Sequence, residues 1–370
     1  MTTLVHGRRG TTSRRTVWWW ARLAAAAGTL AVLVWRLGTS PFIDGLRTVD
    51  GGVLAAASGL AVLTTVCCAW RWRIVARGLG MDLPLGTAVA AYYRSLFLNV
   101  TLPGGVVGDV HRGISHGRDT SDVGRALRAV AWERSAGQVV QVVVGVAVLL
   151  LLPSPVRAAM PLVALALLAA AAGVALAARV RPAIGRSRWA RLRGAAARDV
   201  RDGLLARRAW PAIALASGVV VAGHAVTFLI AARTAGVTAP PSRILPLALL
   251  VMLAGVLPNV GGWGPREGMA AWAFAAAGLG ASRGVTTAVV YGVMVFVASL
   301  PGAVVLIAAW VRDGARDADR PYSLLSCSVS LDGYLGDRTP RLARSNEADF
   351  DRVGDVVLLR YALSRRFRDE

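Results

Sequence analysis

Two glycine- and proline-rich interruptions inside apolar regions constrain the fold of this chain more than any other feature. One is LPNVGGWGPREG at residues 257–268, and the other is LPGGVVGDVHRG at residues 102–113. Proline and glycine destabilise a helix interior by about 3 and about 1 kcal/mol relative to alanine. In a bilayer, a broken helix is tolerated where its freed backbone groups are buried in protein or line a wet cavity. The two segments therefore predict two broken helices around a shared polar cavity.

The apolar regions around these segments predict an integral membrane protein. Hydrophobic residues make up 55% of the 370 residues, and the mean hydropathy is +0.53. Several windows exceed the length of about 18 nearly uncharged residues that a membrane-spanning helix needs. We predict an all-α fold with six full transmembrane helices and two re-entrant or broken helix pairs, or about eight membrane segments. The six spans are expected at residues 17–37, 51–70, 129–152, 157–178, 210–232 and 285–310.

The order of these segments predicts an inverted repeat. The halves are residues 17–152 and 157–310, and each contains one broken pair, at residues 85–108 and 244–281. The halves begin on opposite sides of the membrane, so their broken pairs would enter from opposite faces, a pattern typical of transporters. Ordinary loops between spans are the alternative explanation.

Arginine placement predicts the orientation of the chain. It carries 42 arginines, no lysine and 21 acidic residues, for a net charge of +21. Arginines concentrate in loops, and the positive-inside rule then puts the N-terminus (1–16) and the tail (313–370) in the cytoplasm. Arg71, just after the second span, and the basic stretch 111–128 are expected on the same side. The rule accounts for the charge without a nucleic-acid partner, and we expect a multi-pass protein of the cell (plasma) membrane.

In the second half, the residues after the interruption form a candidate anion site. Pro265 can begin a new helix, because the first helical residue needs no N–H partner. The N-terminus of that helix, together with Arg266, would bind a phosphate. Glu267 could pair with Arg266, cap the helix or take a proton. An interfacial salt bridge is the alternative.

In the first half, charged residues again follow the interruption. Asp109 and Arg112 lie three residues apart, on one helical face, and a local ion pair is the alternative explanation. Glu133 lies inside a span, where a carboxylate needs a partner, and arginines 94, 112 and 266 are candidates. The complete set of candidate binding residues is Arg94, Asn99, Pro103, Gly104, Gly105, Asp109, Arg112, Glu133, Arg134, Pro258, Gly261, Gly262, Arg266 and Glu267.

Motifs for catalysis or cofactors were also considered. The three cysteines have no disulfide or metal-ligand spacing, and the sequence has no nucleophile elbow, P-loop or complete dinucleotide fingerprint. We therefore expect no catalytic residue, no metal and no cofactor. His224, in the fifth span, is expected to form a hydrogen bond between helices.

Four sequence motifs, in this order along the chain, resemble those of a known protein family. They are Arg94 with Asn99, LPGGVVGD with Arg112, the Glu133–Arg134 pair, and LPNVGGWGPREG. The set resembles the lysylphosphatidylglycerol synthase transmembrane region, also called the flippase-like membrane family, over about residues 17–312. The resemblance implies a bacterial or archaeal membrane protein that binds or moves an anionic phospholipid or a polyprenyl-linked lipid. The full-length synthases carry a soluble aminoacyl-transferase domain after this region, where the present chain has a short tail, so lysyl transfer is not implied.

The tail carries a second resemblance. RPYSLLSCSVSLDGYL (320–335) and SNEADFDRV (345–353) are similar to the start of a riboflavin-biosynthesis reductase domain of dihydrofolate-reductase-like fold. The first segment predicts a strand followed by a turn at Asp332–Gly333. About fifty residues are too few for that domain, so we expect a truncated, disordered remnant without reductase activity.

Three functions are consistent with the sequence. The first is a lipid transporter that passes an anionic lipid between leaflets. The second is a non-transporting membrane partner of a glycosyl- or aminoacyl-transferase. The third, a membrane-embedded enzyme with Glu133 or Glu267 as a base, is disfavoured because no nucleophile stands near either residue.

Overall fold

The computed structural model describes residues 28–102, 105–179, 194, 196–207, 209–255, 263–318, 324–330, 341–342, 350–353 and 356–362. These residues fall into two units, Met1–Ala303 and Val304–Glu370. Five candidate residues, Pro103, Gly104, Pro258, Gly261 and Gly262, lie outside the described part.

Helices build the described residues between 28 and 318, which contain no β-strand. The helices are α1 (Gly28–Leu37), α2 (Ser40–Arg47), α3 (Gly51–Gly78), α4 (Leu85–Thr101), α5 (Val107–Asp119), α6 (Val123–Leu151), α7 (Met160–Arg179), α8 (Ala209–Thr234), α9 (Pro241–Ala254), α10 (Pro265–Ala276), α11 (Ala281–Ser299) and α12 (Pro301–Ala318). A 3₁₀ turn, Arg157–Ala159, precedes α7, and a π-helical turn, Asp199–Leu204, precedes α8.

Local sequence explains where several of these helices begin. Asp50 and Asp122 cap α3 and α6, and each carboxylate accepts a 2.8 Å hydrogen bond from the backbone N–H three residues later. Helix α10 begins at Pro265, as predicted, after Gly264 with a φ of 111°. That φ lies where side chains are disfavoured, so the turn into α10 requires a glycine.

Both predicted interruptions separate two helices. Helix α4 ends at Thr101 and α5 starts at Val107, with Gly105 in the left-handed conformation at a φ of 64°. Helix α9 ends at Ala254 and α10 starts at Pro265. Each predicted broken pair is therefore a helix, a break and a second helix.

Helix contacts repeat between the halves, with α3 to α6 corresponding to α8 to α11. Helix α5 packs against α4 and α6, as α10 packs against α9 and α11. The contacts between halves are also reciprocal, because α6 packs on α8 and α9 while α11 packs on α3 and α4. This exchange of partners supports an internal two-fold repeat; its inversion across a membrane stays a prediction.

The predicted all-helical membrane fold is confirmed in its coarse form. Four helical stretches are long and apolar enough to cross a membrane: Gly51–Gly78, Val123–Leu151, Ala209–Thr234 and Ala281–Val311. The shorter apolar helices are Gly28–Leu37, Arg157–Gly173 and Pro241–Ala254. Six full spans and about eight segments therefore stay a prediction, and part of the first predicted span lies outside the described residues.

The structure changes the bounds and the burial of two segments whose cytoplasmic side stays a prediction. Helix α3 does not end near residue 70 but continues through Arg71 to Gly78, and Arg71 is buried. Residues 111–119 continue α5, which buries Arg112 and His116. Both arginines have acidic partners, described below. The Asp109–Arg112 spacing indicated one of these contacts, whereas no local signal indicated the partner of Arg71.

The second unit contains four short strands, described by their backbone. They are β1 (Leu324–Ser330), β2 (Arg341–Leu342), β3 (Phe350–Val353) and β4 (Val356–Ala362). They form an antiparallel sheet in the order β2-β1-β4-β3. The predicted strand corresponds to β1, and the turn at Asp332–Gly333 lies outside the described residues. Three predictions about the tail stay untested: that it begins at residue 313, that it is a disordered remnant, and that it resembles a reductase domain.

Candidate functional site

Glu133 on α6 is the centre of a buried charge cluster. Its side chain is fully buried, and its Oε1 accepts hydrogen bonds from Arg71 Nε at 2.9 Å and from Tyr92 Oη at 3.3 Å. Its Oε2 accepts from Arg112 Nη2 at 2.6 Å. A buried carboxylate is stable only when it is paired and hydrogen-bonded. These contacts confirm that Glu133 has arginine partners and identify Arg112, among the three candidates, as one of them.

Arg71 on α3 is the partner that sequence reasoning missed. Besides its bonds to Glu133, its Nη1 donates to Ser217 Oγ on α8 at 2.9 Å. The guanidinium lies over Gly137, one turn after Glu133, where an added Cβ would be 2.8 Å from Nη1. Arg71 therefore joins α3, α6 and α8 across the boundary between the two halves.

Arg112 on α5 lies between two aromatic rings. Its Cζ is 4.7 Å from the ring centroid of Trp72 and 4.3 Å from that of Tyr92, both within the range of cation–π attraction. Its Nε donates to Asp109 Oδ1 at 3.1 Å, so the local ion pair considered as the alternative explanation is present. The side chain is fully buried, and its Nη1 atom has no hydrogen-bond partner among the described residues.

Asp109 ties the two helices of the first broken pair together. Its carboxylate accepts hydrogen bonds from Ser95 Oγ at 3.2 Å and Asn99 Nδ2 at 3.0 Å, both on α4, and from Arg134 on α6. The Oδ1 atom of Asn99 accepts from the Gly108 N–H at 2.8 Å. The free N–H groups of α5 are thus partly satisfied by α4, which fixes the geometry of the break.

The charges in this group do not balance. We define the Glu133 cluster as Arg71, Asp109, Arg112, Glu133 and Arg134. It has three guanidinium groups against two carboxylates, which leaves one positive charge without a counter-charge in the cluster. Arg134 is its most accessible member, with 40% of its side chain exposed, whereas the others are at most 8% exposed.

Arg94 on α4 is a further basic residue that contacts α5. Its Nη2 donates to Ser115 Oγ at 3.4 Å. Ser115 follows Asp109, which Arg134 contacts, by six residues or about 9 Å along the helix. Arg94 and Arg134 therefore both reach α5, from α4 and α6 respectively.

The second broken pair carries a smaller charge group, the Glu267 pair, formed by Arg266 and Glu267. Glu267 is fully buried and accepts from Arg266 Nε at 2.8 Å and Nη2 at 2.6 Å. Its other oxygen accepts from the Gly264 N–H at 2.7 Å, which caps α10. Of the three roles considered for Glu267, pairing and capping are both present. The pair is neutral, unlike the Glu133 cluster.

Aromatic groups surround Arg266 as they surround Arg112. Its Cζ is 5.4 Å from the ring centroid of Trp263 and 5.7 Å from that of Tyr291. The hydroxyl of Tyr291 is hydrogen-bonded to His224 Nδ1 at 3.0 Å. The predicted hydrogen bond of His224 between helices is therefore confirmed, and it joins α8 to α11.

A pocket of about 70 Å³ lies among α3, α4, α8 and α11. Its walls are mainly alkyl groups, with polar side chains contributed by Thr64, Thr65, Tyr92, His224, Thr227 and Ser299. Tyr92 contacts the Glu133 cluster and His224 contacts Tyr291, next to Arg266. The pocket therefore extends between the surroundings of the two charge groups.

The candidate residues thus fall into two groups. Five of them, Asn99, Asp109, Arg112, Glu133 and Arg134, belong to or directly contact the Glu133 cluster, and Arg94 reaches the same helix. Arg266 pairs with Glu267. Gly105 lies in the first break.

Beyond Arg71, the sequence analysis missed Trp72, Tyr92 and Ser217, whose types and spacing are common in any membrane helix.

Comparison with known proteins gave one informative result. A family model described as the lysylphosphatidylglycerol synthase TM region matches residues 19–302. A search of curated proteins found no match.

Proposed function

The chain belongs to the lysylphosphatidylglycerol synthase transmembrane-region family, and on that basis we propose that it binds an anionic phospholipid or polyprenyl-linked lipid and carries it between leaflets. Membership in this family supports a role as a membrane protein connected with lipid handling. The charge of the Glu133 cluster supports the finer statement that the lipid is anionic.

The unbalanced charge is the observation that carries this proposal. Ionised groups within a membrane protein are costly unless they are paired, and they concentrate at substrate sites. In the Glu133 cluster, one guanidinium charge has no carboxylate to balance it. A lipid phosphodiester carries one negative charge and accepts hydrogen bonds from guanidinium groups, so it fits this excess.

Accessibility indicates which arginines would meet the phosphate. Arg112, an expected phosphate ligand, is fully buried and engaged by Asp109 and Glu133. Arg266, the other expected ligand in the second half, is engaged by Glu267, with 12% of its side chain exposed. Arg134 is the accessible cation of the Glu133 cluster. We assign phosphate contact to Arg134, with Arg112 as a positioning residue behind it and Arg94, on α4, as a further proposed contact.

The repeat supports a transfer path between leaflets. Each charge group includes two residues from the second helix of a broken pair, Asp109 and Arg112 in α5 and Arg266 and Glu267 in α10, and a pocket extends between the surroundings of the two groups. If the repeat is inverted, as predicted, the broken pairs enter from opposite faces and the headgroup passes between them near the midplane.

The proposed activity needs no covalent step, and the chain is proposed not to be an enzyme. Its partners are membrane lipids, with a transferase encoded elsewhere as a possible recipient and no nucleic acid. The proposed location is the plasma membrane, with both termini in the cytoplasm, from the positive-inside rule.

Transfer is tested in liposomes that contain the purified protein and fluorescently labelled phosphatidylglycerol. Wild type should expose inner-leaflet label to a membrane-impermeant quencher faster than protein-free liposomes. The variant Arg134→Gln should transfer about tenfold more slowly, the effect of losing one charge-assisted hydrogen bond. Arg125→Gln is the matched control, because Arg125 lies on the same helix, is 43% exposed and pairs with Asp122 at the surface.

Each outcome separates the alternatives. Binding of labelled lipid without transfer by wild type favours the non-transporting partner of a transferase. Equal transfer by wild type and Arg134→Gln contradicts the assigned phosphate contact. Absence of both binding and transfer in wild type contradicts the proposed function.

A further inference from the structure

His224 on α8 connects the pocket with the Glu267 pair. The residue lines the pocket, and its Nδ1 is hydrogen-bonded to Tyr291 Oη at 3.0 Å. The ring centroid of Tyr291 is 5.7 Å from Cζ of Arg266, the arginine of that pair. Neither Tyr291 nor Arg266 lines the pocket. Among these three residues, His224 is therefore the one that an occupant of the pocket meets.

The imidazole of His224 retains one ring nitrogen without a partner. Its Nδ1 is engaged by Tyr291, whereas its Nε2 has no hydrogen bond and no ion pair among the described residues. In a protonated imidazole both nitrogens donate, so Nδ1–H can keep the contact with Tyr291 Oη. Protonation of His224 thus adds a positive charge and a free donor at the pocket without breaking the link to α11.

The acids of the two charge groups are poorly suited to bind a proton. Glu133 accepts hydrogen bonds from Arg71 and Arg112, and Glu267 accepts two from Arg266. Neutralising either carboxylate would leave a buried guanidinium without its counter-charge, which is strongly destabilising. Histidine, in contrast, changes its charge between about pH 5 and 8.

The ionisable groups around His224 come from several elements. Cys68 on α3 and Tyr92 on α4 share the pocket, and neither a thiol nor a phenol is positively charged in any state. Helix α8 also packs on α6, α9 and the π-helical turn. Charged side chains on α3 and on these elements are engaged elsewhere, as in the contacts Arg71–Glu133, Arg128–Asp199 and Arg243–Ala277 O. Of the described residues that line the pocket, His224 is thus the one that can become cationic.

A proton on His224 would change the balance between the two charge groups. The Glu133 cluster has one excess positive charge, whereas the Glu267 pair is neutral. With His224 protonated, the side of the pocket next to the Glu267 pair would also have one positive charge. Each end of the pocket would then be able to hold a monovalent anion.

We infer that His224 binds a proton that crosses the membrane together with the anionic lipid, which makes the chain a proton–lipid symporter. The inference rests on the proposed function and adds a second transported species. The imidazole takes up one proton from the side on which the headgroup enters and releases it on the other side. One negative and one positive charge move together, so each cycle moves no net charge.

The test uses phosphatidylcholine liposomes with the purified protein, a trace of labelled phosphatidylglycerol, and buffers of about pH 5.5 outside and about pH 7.5 inside. Phosphatidylglycerol is a diester, so it lacks the second ionisation near pH 6 that a phosphate monoester has. Coupling of one proton to one lipid predicts enrichment of the label in the inner, alkaline leaflet. At equilibrium the enrichment is about tenfold per pH unit, or up to about 100-fold. Protein-free liposomes give the background.

Neutral replacements of His224 separate proton coupling from a structural role. His224→Asn places an amide where Nδ1 meets Tyr291, and His224→Gln is a second neutral variant if the first does not fold. Either variant should still bind phosphatidylglycerol and should lose the enrichment under the gradient. His111→Asn is the matched control and should keep the enrichment, because His111 is exposed on α5 and does not line the pocket.

The failure of this inference differs from that of the proposed function. If wild type transfers the label but distributes it evenly under the pH gradient, proton coupling is overturned and lipid transfer is retained. Full enrichment by a folded His224→Asn or His224→Gln variant also overturns the inference. If wild type neither binds nor transfers the label, the proposed function is overturned together with the inference that rests on it.

Discussion

Asp109 and Glu267 occupy the same position in the two broken helix pairs, the third residue of the second helix. Asp109 is third in α5 and Glu267 is third in α10. Each is buried, and each bonds to an arginine and helps to fix the start of its helix. The interruptions are therefore equivalent in their acid as well as in their glycines and prolines.

The halves differ in the charge that surrounds these acids. Among the described arginines, Glu267 pairs with Arg266 alone, whereas Asp109 contacts Arg112 and Arg134, and Arg112 also bonds to Glu133. In the proposed transport, one neutral and one positive charge group would give the two ends of the path different affinities for an anion.

The first prediction concerns the acid at the centre of the cluster. Glu133→Gln should destabilise the protein by about 3–5 kcal/mol, because it leaves Arg71 and Arg112 buried without their main counter-charge. Thermal unfolding in detergent, followed by circular dichroism, measures the loss. Asp82→Asn is the control, since Asp82 pairs with Arg77 at 3.5 Å and is 79% exposed, and it should be nearly neutral. Equal stability of the two variants would contradict the described cluster.

The second prediction concerns the glycine beneath Arg71. Gly137→Ala should displace the guanidinium from Glu133, because the new Cβ would lie 2.8 Å from Nη1. The expected cost is about 1–3 kcal/mol, typical of overpacking. Gly218→Ala is the matched control in α8, where an added Cβ has no neighbour within 4 Å, and it should be neutral or slightly stabilising. A stabilising effect of Gly137→Ala would show that Arg71 does not occupy the described position.

The third prediction concerns the neutral pair in the second half. Arg266→Gln should slow lipid transfer while leaving equilibrium binding of phosphatidylglycerol within about twofold of wild type. The reason is that the Glu267 pair has no excess charge for an anion, whereas its arginine would guide the headgroup during passage. Transfer and binding are measured on the same preparation. A loss of binding as large as that of Arg134→Gln would contradict the assignment of the primary phosphate contact to the first half.

Much of the site could be predicted from short-range sequence signals. Glycine and proline marked both breaks, the i to i+3 spacing gave the Asp109–Arg112 pair, and a carboxylate inside a span indicated that Glu133 needs a cation. These signals depend on neighbouring residues and on the cost of exposing backbone and charge to lipid.

The remaining contacts are long-range and had no local signal. Arg71 is 62 residues from Glu133 and 146 residues from Ser217, and in the sequence it resembles the arginines at positions 73 and 77 that follow it. Its burial depends on a glycine in α6 and a serine in α8. For the same reason, the partly exposed Arg134 could not be distinguished from the buried Arg112.

The central claim is that the unbalanced charge of the Glu133 cluster selects an anionic lipid through Arg134. Native mass spectrometry with phosphatidylglycerol and zwitterionic phosphatidylcholine of matched tails measures this directly. Wild type and Arg125→Gln should favour phosphatidylglycerol by about tenfold or more, and Arg134→Gln should lose most of that preference. Equal binding of the two lipids by wild type, or an unchanged preference in Arg134→Gln, would contradict the account.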